Sequence, residues 1–178
     1  MPLPMRLRVL LLALVVASTA AASSSVVGRA SPRAAKPVAA AAARSNPACP
    51  LPSRYRGAFE LAARDTSLPL PLLVAVARVE SRVDQSARSS RGAQGLLQVL
   101  PSTAQALGLD ASSARTNVLA GARYLRQLLV RFGSADLALA AYNAGPAAVE
   151  RAGGAPSGQT VTYVANVTAA WRSHRGCT

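Results

Sequence analysis

The chain has 178 residues, 51% hydrophobic and only 4% aromatic, with 20 Lys+Arg against 7 Asp+Glu and a formal net charge of +13. Its single histidine, His174, excludes an HExxH site and a His-rich metal cluster, and leaves a Ser-His-Asp triad dependent on a residue near the C-terminus with no nucleophile-elbow sequence to serve it. No GxGxxG or P-loop pattern occurs, so neither a nucleotide cofactor nor a metal is expected.

Residues 1–22 read as a secretory signal peptide. Arg6 and Arg8 form a positive n-region, "VLLLALVVA" (Val9 to Ala17) is a short apolar run, and Ala20 and Ala22 suit an A-x-A cleavage site. An uncleaved membrane anchor is the alternative. Residues 23–48, rich in Ala, Ser, Pro and Arg and without acidic or aromatic side chains, have nothing large to bury and read as a disordered linker. Residues 49–178 then form one domain, large enough for a single core. No later apolar run approaches spanning length. Without Arg6 and Arg8 the chain keeps 18 basic against 7 acidic residues, a net +11, which favours a polyanionic partner. Export, to a periplasm or beyond the cell, makes an acidic cell-wall polymer a better fit than nucleic acid. Four Tyr, two Phe and one Trp do not supply the interleaved aromatics of a nucleic-acid surface. Cys49 and Cys177 stand at the two ends of the domain, and an even count in an exported protein predicts one disulfide between them, two free thiols being the alternative.

The domain reads as helical throughout. "SRYRGAFELAARDT" (53–66) is a first helix with Tyr55, Phe59 and Ala62 or Ala63 on one face. Pro69 and Pro71 open a second that runs through "VAVARVES". A short third starts at Pro101 and stops at Gly108. "NVLAGARYLRQLLVRFG" (117–133) is the longest, with Val118, Ala122, Leu125 and Leu129 inward and Gly133 past its end. "SADLALAAY" and "PAAVERA" are short helices joined at "NAG". "QTVTYVANVTAAWRS" (159–173) places Val161, Val164, Val167 and Trp171 on one face. Between the second and third helices, the glycines of "SARSSRGAQGLLQVL" predict a loop whose "LLQVL" end pairs briefly as a strand.

Carboxylates are what remain for acid–base work: Glu60, Asp65, Glu80, Asp84, Asp110, Asp136 and Glu150. Only Glu80 sits in an apolar helical pattern, on the edge of the row formed by Leu73 and Val76. A carboxyl there is paired with an arginine, neutralised or catalytic. Burial disfavours its charged form, and a carboxyl kept protonated near neutrality suits a general acid that donates to a glycosidic oxygen.

From Glu80 onward the ordered motifs "ES" (80–81), "SSRGAQGLLQVLPSTA" (89–104), "NVLAGARYLRQLLVRFG", "LALAAYNAGPAAV" and "TVTYVANV" resemble the lytic transglycosylase family with the soluble-transglycosylase catalytic domain, in the lysozyme-like superfamily. The resemblance covers about Tyr55 to Trp171. It implies an all-α lysozyme-like fold, one very short β element at most in the Gly-rich loop, and a monomer. The implied reaction cleaves the β-1,4 bond between N-acetylmuramic acid and N-acetylglucosamine in peptidoglycan glycan strands, without a cofactor. Glu80 matches the family's catalytic acid/base, and Ser81, Leu97, Gln98, Tyr142, Asn143, Ala144 and Tyr163 match positions lining its sugar cleft. Plain readings accompany several of these: Ser81 as a helix-end residue, Gln98 as a partner for loop backbone, Asn143 as a left-handed helix terminator, and the tyrosines as core aromatics with wet hydroxyls. Leu97 stands where the family usually carries Met, a swap that keeps apolar bulk and alters a packing contact with substrate. Other classes stay open: a goose-type-lysozyme-like hydrolase, for which Asp84 is the only second acid near Glu80 in sequence, and a non-enzymatic wall-binding module serving a cell-envelope secretion or assembly apparatus.

Overall fold

Apolar spacing and proline–glycine punctuation become seven helices over residues 47–178, the part of the chain that the computed structural model describes. The expected signal peptide, and all but the last two residues of the expected linker, lie outside the described residues. The helices are α1 (Ser53–Thr66), α2 (Leu70–Ser81), α3 (Pro101–Ala106), α4 (Ala114–Phe132), α5 (Ala135–Ala144), α6 (Pro146–Ala152) and α7 (Gly158–Ser173). Proline opens α2, α3 and α6, where its missing N–H is not needed. Ser113, Ser134 and Ser157 cap α4, α5 and α7, each side chain accepting a backbone N–H of the first turn. The fold is all-α, as expected.

Helix α2 is the centre. Every residue from Pro71 to Ala77 is buried, so this helix is enclosed on all sides rather than striped. It packs on α1 and α7, while α4 bridges α1 and α5, and α5 in turn meets α7. Phe59, Leu73, Leu96, Leu97, Leu125, Leu139 and Val167 are fully enclosed within this core. Each removes enough apolar surface from water to contribute about 1.5–3 kcal/mol.

The expected inward face of α7 is rotated by one position. Thr160, Tyr163 and Val167 are the buried residues, whereas Val161 is 55% exposed. The aliphatic pattern lost to a tyrosine whose ring packs in the core and whose hydroxyl has a partner across it. The brief strand is also absent among the described residues. "LLQVL" contributes only the isolated bridge of Val99 to Gln94, beside a second between Arg88 and Gln94. Leu96 and Leu97 turn inward instead of continuing a ladder.

Cys49 and Cys177 form the expected disulfide, 128 residues apart in sequence. Backbone bonds reinforce this clasp: Cys49 N–H donates to Thr178 O and Thr178 N–H to Pro47 O. The Arg56 guanidinium reaches both Thr178 O and Cys49 O. No helix among the described residues is long and apolar enough to cross a membrane.

Candidate active site

Glu80 occupies the last turn of α2, where the helix leaves the core. Two successive residues then take the left-handed conformation without being glycine, Arg82 at φ 56° and Val83 at φ 65°. For a β-branched valine this is a true outlier, costing about 1–3 kcal/mol. Their N–H groups fold back onto Ala77 O and Arg78 O, closing the helix. The reversal carries the next acid, Asp84, out to the surface. There its Oδ1 accepts the N–H and hydroxyl of Ser86. Those bonds hold the Asp84 carboxyl below the ordinary range.

Glu80 has the opposite environment. Burial lifts its carboxyl from the ordinary 4.5 to about 7, against the downward pull of a hydrogen bond from Tyr163. The Tyr163 hydroxyl donates to Oε1 at 2.6 Å from α7, and burial together with the nearby Glu80 charge pushes that phenol well above its usual range. Among the described residues no arginine lies within ion-pairing distance of Glu80, and the ion pairs are Arg123–Asp65 and Arg131–Glu150. The reading of Glu80 as half of a buried ion pair is therefore excluded.

The carboxyl opens on a cleft of about 160 Å³. The loop between α2 and α3 supplies Ser89, Arg91, Ala93, Gln98 and Leu100 to its wall, and α5 supplies Tyr142 and Asn143. Wider depressions exist, one of about 610 Å³ beside Asp65, but that carboxylate is tied to Arg123 and held low.

The loop is held at many points from below. Asn117 is fully buried; its Oδ1 accepts the Leu97 N–H at 2.9 Å and its Nδ2 donates to Gln94 O at 2.7 Å. Gly95, at φ +76°, lies so close that a Cβ there would stand 2.6 Å from the Asn117 side chain. Ser81 is buried and donates its hydroxyl to Leu96 O at 2.8 Å as well as to Ala77 O, and so pins the loop to α2. The Tyr142 hydroxyl donates to Leu97 O at 2.8 Å, and its ring meets Tyr124 at 5.4 Å. Gln98 takes a left-handed φ of 46° and donates Nε2 to Ala87 O and Gly95 O.

The residues expected in the cleft thus divide. Gln98, Tyr142 and Asn143 line it with Glu80, and Tyr163 stands behind the carboxyl. Ser81 lies beneath it in the buried layer, and Ala144 ends α5 outside the lining residues. Leu97 is 1% exposed and packs on α4, where a Cβ at Gly121 would meet its Cδ1 at 2.6 Å. The Met-to-Leu difference acts in the core and not on a cleft contact, a correction to the sequence reading. Asn143 is helical within α5 and its Oδ1 accepts from Thr160, so it is not a left-handed terminator; the positive-φ residue that ends the helix is Gly145, at φ 86°. Asn117 and Arg91 escaped the sequence reading. Asn117 was visible as the polar member of the inward row with Gly121 and Leu125, and Arg91 as the residue before Gly92 in a turn signal.

This acid, cleft and loop can be set beside known proteins. The model of the Transglycosylase SLT domain family matches residues 57–162. The chain belongs to that family. It is 38% identical over 100 residues to membrane-bound lytic murein transglycosylase F 2 of Alkalilimnicola ehrlichii, a match covering 52% of this chain and 22% of that protein. It is 42% identical over 77 residues to the transglycosylase of Enterobacteria phage PRD1, covering 42% and 29% respectively. Among solved structures, an inactive mutant of lytic transglycosylase Slt from Pseudomonas aeruginosa superposes with a TM-score of 0.61 at 28% identity, covering 72% of this chain and 25% of that one. The 70 kDa soluble lytic transglycosylase from Escherichia coli gives 0.59 at 29% identity, covering 69% and 25%. The all-α lysozyme-like fold expected from the sequence is the fold of these neighbours. This SLT chain spans less than a third of the length of either relative.

Proposed function

We propose that the protein is a peptidoglycan lytic transglycosylase, with Glu80 acting first as general acid and then as base. The observation that carries this reading is a single enclosed carboxyl, lifted to about 7 and opening on a cleft, with no second carboxylate among the cleft residues. Protonated Glu80 donates to the glycosidic oxygen between N-acetylmuramic acid and N-acetylglucosamine. The resulting carboxylate takes the proton of the muramic acid C6 hydroxyl, whose oxygen attacks C1 of the same sugar. An intramolecular nucleophile has a high effective concentration, so no water needs to be prepared by another acid. Gln98, Tyr142 and Asn143 hold the sugars, while Tyr163 positions the Glu80 carboxyl from behind. Export, expected from residues 1–22, brings the enzyme to its polymer, and the basic surface favours that anionic wall. The 70 kDa soluble lytic transglycosylase has also been solved in complex with bulgecin A, so a structural neighbour of this chain binds a ligand.

Muropeptide mass spectrometry tests the reaction type. Digests of purified sacculi are expected to contain 1,6-anhydromuramic acid ends, and Asp84→Asn is expected to keep most of the activity because that carboxylate faces solvent. Ordinary reducing ends, together with loss of cleavage in Asp84→Asn, would establish a hydrolase instead.

Tyr163→Phe removes the one hydrogen bond that lowers the Glu80 pKa. The alkaline limb of the pH–rate profile should then move to higher pH. The rate at the optimum should fall about tenfold, from loss of a hydrogen bond that orients the carboxyl. An unmoved limb would show that the hydroxyl does not act on Glu80.

A further inference from the structure

The loop wall of the cleft ends in a tight turn. Gly92 N–H donates to Ser89 O at 3.0 Å, Ala93 N–H donates to the Ser89 hydroxyl, and Ser89 N–H donates to Ala93 O. Gly92, at φ +81°, makes the reversal possible. Arg91 sits at the tip of this closed turn, is exposed, and is among the residues lining the same cleft as Glu80. All seven acidic residues of the chain lie in the described part, and none forms an ion pair with Arg91. Nor does any hydrogen bond to a described residue engage its guanidinium, whereas that of its neighbour Arg88 turns back onto Ala87 O. The cleft therefore contains a fork-shaped cation with no anion of its own.

We propose that Arg91 reads a carboxylate on the peptide attached to the muramic acid of the substrate, making it a specificity-determining residue. This rests on the transglycosylase reading above. The sugar rings being cut carry neutral hydroxyl and acetamido groups, and the lactyl carboxyl of muramic acid is consumed in the amide that joins the stem, so on peptide-bearing strands an anion reaching this cleft comes from the stem peptide. A planar guanidinium pairs bidentately with a carboxylate, and its exposed position keeps the interaction modest. Meeting the peptide at the rim leaves the enclosed acid free of a permanent cationic neighbour, which would otherwise ionise it.

The test compares cleavage of sacculi with that of the same sacculi after carbodiimide amidation of the stem carboxylates. The wild-type protein is expected to lose roughly threefold to tenfold in kcat/KM on the amidated material, mostly through KM. Arg91→Ala should show nearly the same kcat/KM on both preparations, and Arg91→Lys should retain part of the discrimination. Arg126→Ala removes the same unit of charge from α4, outside the residues lining the cleft, and should keep the wild-type ratio. Matching thermal midpoints for the variants guard against misfolding. The proposal is overturned if the wild-type protein cuts both preparations equally, or if Arg91→Ala discriminates as the wild type does. Loss of discrimination in Arg126→Ala as well would reduce the effect to bulk charge and also overturn it. Failure of the wild-type protein to cut either preparation would remove the transglycosylase reading and this proposal together.

Discussion

Glu80→Gln is expected to lower the rate of sacculus cleavage by at least about a thousandfold, since positioned proton transfer contributes about 10²–10⁴ and this one group serves both steps. The amide keeps the shape of the side chain, and its oxygen still accepts from the Tyr163 hydroxyl. Folding should therefore be intact, and stability should improve. Burial raises the carboxyl from 4.5 to about 7, so between those values the folded state binds more protons than the unfolded chain. Stability consequently declines as pH rises from about 4.5 to about 7, by up to about 3 kcal/mol at about 1.36 kcal/mol per pK unit. Glutamine carries no such penalty, so the variant should denature at a higher temperature than wild type at pH 8 and show little difference at pH 4. In the wild type, activity should fall as pH rises through about 7, because the proton needed for the first step is then lost. Measured kcat/KM across pH 5–9, which reports the free enzyme's acid, paired with thermal denaturation of both proteins, checks these expectations. An active Glu80→Gln protein would remove Glu80 from the chemistry.

Breaking the Cys49–Cys177 disulfide is expected to cost about 4–5 kcal/mol, the chain-entropy value for a closed loop of this length. The loop encloses the domain, so its loss releases nearly the whole unfolded chain from constraint. Among the described residues the native clasp is otherwise backed by the terminal backbone bonds and by Arg56. For a domain of this size the shift amounts to roughly 15 °C in the thermal midpoint. Calorimetry of a Cys49→Ser, Cys177→Ser double variant, beside the oxidised wild type, reads this directly. Activity below the lowered midpoint should persist, because the bond joins the two ends of the domain while Glu80 and its cleft lie at the opposite end of α2 from its proline-rich start. A midpoint within a few degrees of wild type would show that the denatured chain is not restrained by the link.

The chain's own pattern determined much of this protein. Apolar periodicity and the proline, serine and glycine punctuation placed all seven helices, because those signals act within a few residues of where they are written. The same locality singled out Glu80, since an acid interrupting a helix of leucine, valine and alanine is visible without knowing what surrounds it. The cysteine pair was legible from its position at the two ends of the domain. Tertiary structure decided what each of these became. The raised carboxyl depends on enclosure of α2 by α1 and α7, and its hydrogen-bond donor arrives from 83 residues away. Asp84 was removed from the site by two left-handed residues, Arg82 and Val83, a backbone that local preference opposes and of which no glycine or asparagine gave warning. Leu97 shares its motif with Gln98 and Ser81 shares its own with Glu80, yet Asn117 and Gly121 on α4 turned Leu97 into the core, and Leu96 O drew Ser81 beneath the loop. A turn's tip and a loop's floor are set by partners far along the chain, so the free guanidinium of Arg91 emerged only once the chain had closed around Glu80.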